Sequence, residues 1–318
     1  MSPQAEVATP EAVATIGVFD GVHLGHQALI RRVVERAGQL GMVSVCVTFS
    51  PHPEDVLRPD SGIAHLAGVE DRLATIKGLG VSEVVVMEFT SALAALSPEE
   101  FIDRLMQRFR LRELWIGSDF ALGRGRTGTP ERLAAIGREK GFVVRSLPPV
   151  EVDGQVVSSS RIRQLLADGQ VEEAARLLGR AYRLRGRVVA GDGRGRSLGF
   201  ATANLAPDDR LCVPGDGVYA VAVQVEGGGE WHGVANVGVR PTFGESARQI
   251  EIHLLGFSGD LYGKRLAVDF VARLRGERRF ESVEALKAQI AEDVRKARSI
   301  LGESPPHSAS ARSVAPFP

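Results

Sequence analysis

Two histidines in the order His23-Leu24-Gly25-His26 directly follow a glycine turn, Gly17-Val18-Phe19-Asp20-Gly21-Val22, near the start of this 318-residue chain. A short apolar stretch, a glycine turn and a helix start make an anion site, because free backbone N–H groups and the helix dipole face the same point. Gly17, Gly21 and Gly25 let the backbone approach a ligand closely. His23 and His26 can donate ring N–H bonds to phosphate oxygens that gain charge in a transition state, and neither needs to be a nucleophile. A lone histidine or a lone glycine turn is most often structural; the doublet placed straight after a strand is far more specific.

A second cluster lies downstream. Gly191, Gly193, Gly195 and Gly199 alternate with Arg194 and Arg196, and Thr202 and Asn204 follow at once. Such a stretch reads either as a flexible linker or as a polyphosphate cradle built from glycine N–H groups, with Gly191, Gly195, Gly199 and Arg196 as its contacts. Thr202 and Asn204 offer the hard oxygens that Mg²⁺ accepts beside water and substrate phosphates. The absence of a Gly-Lys-Ser/Thr sequence here argues against a P-loop kinase. Upstream, Ser158-Ser159-Ser160-Arg161-Ile162-Arg163 opens an arginine-rich stretch that runs to Arg196. It reads as a solvated basic face with Arg161, Arg163 and Arg196 as guanidinium contacts to anionic phosphates.

The elements that must position these residues follow from periodicity. Val13–Phe19 reads as a buried strand and 25–38 as a helix with Ala28, Leu29, Val33, Val34 and Ala37 on one side. Strands at Met42–Phe49, Val84–Met87, Leu114–Ile116 and Phe142–Ser146 alternate with helices near Glu70–Leu79, after Ser97-Pro98-Glu99-Glu100 and after Thr129-Pro130-Glu131. The Ser97 segment is a capping box. Alternation of this kind predicts an α/β domain, a parallel sheet with helices on both faces. Near 179–182 the character changes. Short β-rich segments at Tyr182–Val189, Gly217–Val225, Trp231–Val239, Ile250–Leu255 and Arg265–Leu274 predict an antiparallel barrel, closed by an amphipathic helix over Ser282–Leu301. The expected domains are 12–180 and 181–302, with 1–11 and 303–318 disordered.

Composition narrows the class. Lys+Arg and Asp+Glu balance at 39 each, so no global field points to nucleic acid or membrane. Two cysteines cannot build a disulfide framework or a zinc site. Neither a signal peptide nor a run of membrane-spanning length is read from the sequence, so the expected location is cytoplasmic, with no nucleic-acid, membrane or protein partner implied.

The His-x-Gly-His segment and Ser158–Arg163 resemble motifs of the nucleotidyltransferase superfamily. Thr48-Phe49-Ser50-Pro51-His52-Pro53 and Gly117-Ser118-Asp119-Phe120-Ala121-Leu122-Gly123 narrow the resemblance to the FMN adenylyltransferase module of bacterial FAD synthetase. Phe200-Ala201-Thr202-Ala203-Asn204, Gly238–Phe243 and Asp260-Leu261-Tyr262-Gly263 resemble bacterial riboflavin kinase. The fold implied is a Rossmann-like nucleotidyltransferase domain followed by a riboflavin kinase β-barrel. The resemblance implies two steps, riboflavin to FMN and FMN to FAD, each using ATP with Mg²⁺. It implies that Gly17, Asp20, His23 and His26 hold ATP phosphates or Mg²⁺, and that Ser159, Arg161 and Arg163 close over the β- and γ-phosphates. His52 and Asp119 would lie near the flavin phosphate and the metal, Thr202 and Asn204 would hold the kinase metal, and Glu251 would be the kinase base. From the residues alone, His52 between two prolines also reads, as the lesser alternative, as turn chemistry, Asp119 as a turn or cap residue, and Glu251 as an outward-facing strand residue. Three departures stand out: Ser160 where Thr is usual, Ala201 for Pro, and Gly256 for Asp. Two other readings remain open here. One is an adenylyltransferase whose barrel only binds flavin; the other is a flavin-sensing regulator with degenerate sites.

Overall fold

The structure, a computed structural model, describes residues 9–191, 200–208, 210–239 and 248–302. The expected disorder at 1–8 and 303–318 lies outside those residues. The chain divides into two compact units, one holding the described residues up to Ile63 with Val69–Val157, the other Ala64–Gly68 and the described residues from Ser158 onward.

The first unit runs β1 (Glu11–Ile16), α1 (Leu24–Leu40), β2 (Val43–Ser50), α2 (Pro53–Leu57), α3 (Val69–Gly78), β3 (Glu83–Glu88), α4 (Ser91–Ala94), α5 (Pro98–Met106), β4 (Arg110–Gly117), α6 (Pro130–Lys140) and β5 (Val143–Leu147), then a small hairpin, β6 (Glu151–Val152) and β7 (Gln155–Val156). Its sheet is parallel in the order β3-β2-β1-β4-β5. Both faces are covered, as a near-continuous apolar run in β1 requires. Ala12, Ala14 and Ile16 pack with Ile102, Leu105, Leu133 and Ile136, whereas Val13 packs with Val33 and Ala37 of α1. The α1 stripe differs slightly from the expected one: Gln27, Leu29, Ile30, Val33 and Ala37 are buried, while Ala28 and Val34 are half-buried. The capping box on α5 is present, with Ser97 Oγ accepting from Glu100 N and Glu100 accepting from Ser97 N.

Two boundaries correct the sequence reading. β1 starts at Glu11, inside the stretch expected to be disordered, and pairs there with Arg110. It ends at Ile16 rather than Phe19, because Phe19 sits at φ 53° and turns the chain out of the sheet.

The second unit begins with α7 (Ser159–Ala167) and α8 (Val171–Leu178) and continues with β8 (Tyr182–Val189), β9 (Ala203–Pro207), β10 (Gly217–Val225), β11 (Gly229–Val239), β12 (Arg248–Leu254), β13 (Arg265–Arg275) and α9 (Val283–Leu301). The six strands close into an antiparallel barrel in the order β10-β11-β12-β9-β8-β13. Tyr219, Phe270 and Tyr182 fill its interior in ring contact, and both tyrosine hydroxyls donate to backbone carbonyls, of Gly215 and Cys212. The intervening positions of β10 face the other way: Val218 and Ala220 pack with Val234 and with Val294, Ala297 and Leu301 of α9. The helix is pinned by a buried ion pair, Arg275 to Asp293 at 2.9 Å, with the carboxylate only 3% exposed. α7, α8 and β9 were not among the expected elements. α8 docks on β8 and β13 through Ala174, Leu177 and Leu178, and Glu172 accepts from Arg273 N at 2.9 Å.

Candidate active sites

In an open parallel sheet, ligands bind beyond the carboxyl ends of the strands, where the strand order reverses. Here β1 leads through α1 to β2 on one side, while β4 lies on the other, so the switch point falls between β1 and β4. The Gly17–His26 segment leaves β1, the His52 segment leaves β2, and Asp119 lies two residues after β4. Three candidate segments therefore meet this rule.

The glycine positions have steric causes. A Cβ on Gly17 would stand 2.8 Å from the Phe19 ring, and one on Gly25 would stand 3.2 Å from the His23 ring. Freed of that obstacle, the His23 and His26 rings stack at 3.6 Å between centroids, 18° from parallel. His23 also caps α1, its Nδ1 accepting from His26 N at 3.4 Å. Phe19 meets His26 edge-on at 5.3 Å. Val22 adopts φ 41°, a conformation β-branched residues avoid, so the turn holds backbone strain beside the candidate chemistry. Burial first, and the neighbouring His23 second, push the His26 pKa well below the ordinary histidine value. His26 is thus a neutral imidazole at neutral pH, and its buried Nδ1 has no hydrogen-bond partner among the described residues.

Asp20 is 3% exposed, and one of its carboxylate oxygens lies within 4.8 Å of a ring nitrogen of His52. His52 caps α2, accepting from Glu54 N at 3.1 Å through Nδ1. Its turn chemistry is therefore real, and it coexists with a place beside Asp20. Sequence reasoning missed Arg72. This arginine of α3 is 3% exposed and donates to Phe49 O at 2.5 Å; burial lowers its pKa and the nearby Asp20 opposes that shift. No motif marks it in the sequence, and a buried guanidinium beside a buried carboxylate appears only in three dimensions. Asp119 is an exposed turn residue.

Ser159, Arg161 and Arg163 belong to the second unit. Ser158 caps α7, its Oγ accepting from Arg161 N at 3.3 Å, and the three residues occupy the first turns of that helix. Arg163 Nε donates to Ala64 O at 2.7 Å, a structural bond that the sequence reading did not include.

In the barrel, strand register assembles the site. Glu251 on β12 stands opposite Asn204 on β9 and Asn236 on β11; Asn236 stands opposite Val218, and Val218 opposite Arg275. Directly paired residues share a face, and this face is the outer one, under α9. A cavity of about 740 Å³ opens on it. Its lining is mixed: polar Thr202, Asn236, Glu251 and His253, charged Arg275, Glu277, Arg278, Arg279 and Asp293, and apolar Phe200, Val218, Val234, Phe280, Leu286 and Ile290. The Glu251 carboxylate is half-buried and has no hydrogen-bond or ion-pair partner among the described residues. Asn236 was also missed by sequence reasoning, although a polar residue inside Val234-Ala235-Asn236-Val237 is a usable signal. Gly191 lies where a Cβ would stand 1.8 Å from Asn204 Nδ2; its missing side chain makes room for that amide, whose Oδ1 accepts from Gln249. Thr202 and Asn204 present side-chain oxygens next to the carboxylate strand, a donor set of hard ligands that suits Mg²⁺. Gly195, Arg196, Gly199 and the Arg240–Phe243 motif lie outside the described residues. Gly256 follows β12 at φ 76° with open space where a side chain would go, and it does not line the cavity.

Among the described residues no helix is long and apolar enough to cross a membrane. The family model for FAD synthetase matches residues 5–161, and that for riboflavin kinase matches 178–301. A bifunctional riboflavin kinase/FMN adenylyltransferase of Pseudomonas fluorescens is 45% identical over 294 residues, covering 92% of this chain and 94% of that protein. One from Escherichia coli K12 is 39% identical with the same coverage. A crystal structure from Streptococcus pneumoniae, named as a macrolide-efflux protein, superposes with TM-score 0.83 at 33% identity, covering 92% of this chain and 96% of that one. With both family models matched in the order of the two folds, and relatives alike across both, the chain belongs to the family of bifunctional riboflavin kinase/FMN adenylyltransferases.

Proposed function

We propose that the two sites divide the family's two reactions as the folds suggest: phosphorylation of riboflavin in the barrel, and adenylylation of FMN beyond the carboxyl ends of the parallel strands. The observation that carries the barrel assignment is the Glu251 carboxylate, half-buried, unpartnered among the described residues and lining a cavity that also presents apolar side chains. The apolar lining residues Val218, Val234, Leu286 and Ile290 would receive the flavin ring system, with the ribityl chain directed to Glu251. Glu251 then takes the proton of the 5′-hydroxyl as its oxygen forms a bond to the γ-phosphorus of ATP and the bond to the β-phosphate oxygen breaks, releasing ADP. Thr202 and Asn204 would hold Mg²⁺, which when bound supplies charge neutralisation at the phosphates. Gly191, with Gly195, Gly199 and Arg196, would cradle the polyphosphate.

In the adenylyl transfer, an FMN phosphate oxygen attacks the α-phosphorus and pyrophosphate leaves, so no proton has to be removed from the nucleophile. What the site must do is stabilise charge on the leaving group. His23 and His26, as N–H donors at the start of α1, serve that purpose with Gly17 and Gly25. Asp20 would hold the metal of this site, with His52 and Asp119 toward the flavin phosphate, and Ser159, Arg161 and Arg163 are assigned to the β- and γ-phosphates. Both steps need only small molecules, which fits a cytoplasmic enzyme working without nucleic acid, membrane or protein partner.

The test is to incubate the chain with riboflavin, ATP and Mg²⁺ and separate FMN from FAD by chromatography with fluorescence detection. Both products are expected from riboflavin, and FAD alone from supplied FMN. Conversion of FMN without any phosphorylation of riboflavin would reduce the barrel to a binding module.

A further inference from the structure

We infer that His253 is a positioning residue of the kinase step: its ring holds the Ala201 carbonyl and thereby fixes Thr202 beside Glu251. The inference rests on the kinase reading of the barrel. The β9–β12 ladder pairs Ile250 with Leu205, Glu251 with Asn204 and Ile252 with Ala203, and stops there. Thr202 and Ala201 thus lie just past the last ladder bond. What takes over is a side-chain contact, His253 Nδ1 to Ala201 O at 2.9 Å. A carbonyl oxygen only accepts, so Nδ1 carries the hydrogen. Phe200 packs edge-on against the same ring, 5.5 Å between centroids and 85° between planes. His253 and Glu251 are two residues apart on β12 and project to one face, and both line the cavity with Phe200 and Thr202. One imidazole therefore grips the segment on both sides of Ala201 from the strand that carries the candidate base. This also answers the departure at 201. A proline there would restrict the backbone by itself; with alanine, the restriction comes from the His253 bond.

The experiment uses the full chain with His253→Leu and His253→Asn, each alone and combined with Ala201→Pro. Two quantities are read: amide hydrogen exchange of a peptide covering 200–204 without ligand, and kcat/KM for riboflavin phosphorylation with ATP and Mg²⁺. Adenylylation of supplied FMN is the internal control. For His253→Leu, faster exchange in this segment and a kinase loss of about 3- to 10-fold are expected, the range of one hydrogen bond, with adenylylation unchanged. His253→Asn, which keeps an N–H donor, should retain most of the activity, and Ala201→Pro should recover part of the His253→Leu loss. Unchanged exchange and unchanged kinase activity in His253→Leu overturn the inference. So does equal loss in the Leu and Asn variants with normal exchange, which makes the ring a substrate contact instead. If the parent chain fails to phosphorylate riboflavin, the kinase reading falls, and the exchange measurement still decides whether His253 holds the segment.

Discussion

Gly191→Ala separates local geometry from fold. The Gly191 backbone is not in the left-handed region, so alanine is accepted there, but its methyl would stand 1.8 Å from Asn204 Nδ2 and 2.5 Å from Asn204 Cγ. Ordinary contact begins near 3.5 Å, so the amide must swing away by more than about 1 Å. That movement breaks the bond from Gln249 to Asn204 Oδ1, a loss of about 0.5–1.5 kcal/mol. Replacing glycine by alanine returns about 0.4–1 kcal/mol through the unfolded chain. The two nearly cancel, so thermal stability should stay close to that of the parent. Activity should not. Displacing a positioning group by about 1 Å costs on the order of 10²-fold, and Asn204 is the residue opposite Glu251. The assay is riboflavin phosphorylation followed by chromatography, with adenylylation of supplied FMN in the same preparation as control. In an Asn204→Ala background the glycine change should add little, because the displaced group is already gone. A Gly191→Ala enzyme within about twofold of the parent in kinase kcat/KM would refute the assignment of Asn204 to the site.

Further expectations follow from the same geometry. Glu251→Gln should lower riboflavin phosphorylation by about 10²–10⁴ and leave adenylylation intact; near-normal kinase turnover would return Glu251 to the status of a strand residue. His26→Ala should abolish FAD formation while FMN accumulates, by about 10²–10³ for loss of one preorganised donor, and undiminished FAD synthesis would remove His26 from the site. Because His26 titrates below its unfolded value of about 6.5, the unfolded chain binds the proton first; stability should therefore fall as pH drops from 6.5 toward the folded pKa, and His26→Gln should flatten that slope in denaturant midpoints measured against pH. A barrel fragment starting at Ser158 should be more stable than one starting at Gly179, since the longer one keeps Leu177 and Leu178 docked and Glu172 on Arg273; equal melting temperatures would make α7 and α8 dispensable. Gly256→Asp should not raise kinase activity, because residue 256 sits at φ 76° away from the cavity; a gain would mean the usual carboxylate acts chemically.

The sequence by itself determined the two fold classes, the main strand-helix alternation of the first and the candidate chemistry. Strand-helix alternation, the Ser97 capping box and the His-x-Gly-His doublet are local patterns whose physics is complete within a few residues. Tertiary structure decided the rest. β9 is invisible in Ala203-Asn204-Leu205-Ala206-Pro207, which has no β-branched or aromatic residue; it is a strand because β8 and β12 supply its hydrogen bonds on both sides. The stretch at 158–163 shows in the sequence as a motif with no element assigned to it, yet Ser158 spends its hydroxyl on a cap and a helix follows. The reason β1 stops at Ile16 is a positive φ at Phe19, whose ring folds over Gly17. Arg72 beside Asp20, Asn236 beside Glu251 and Gly191 beneath Asn204 are pairs remote in sequence. Their chemistry depends on burial and register, which no window of neighbouring residues encodes.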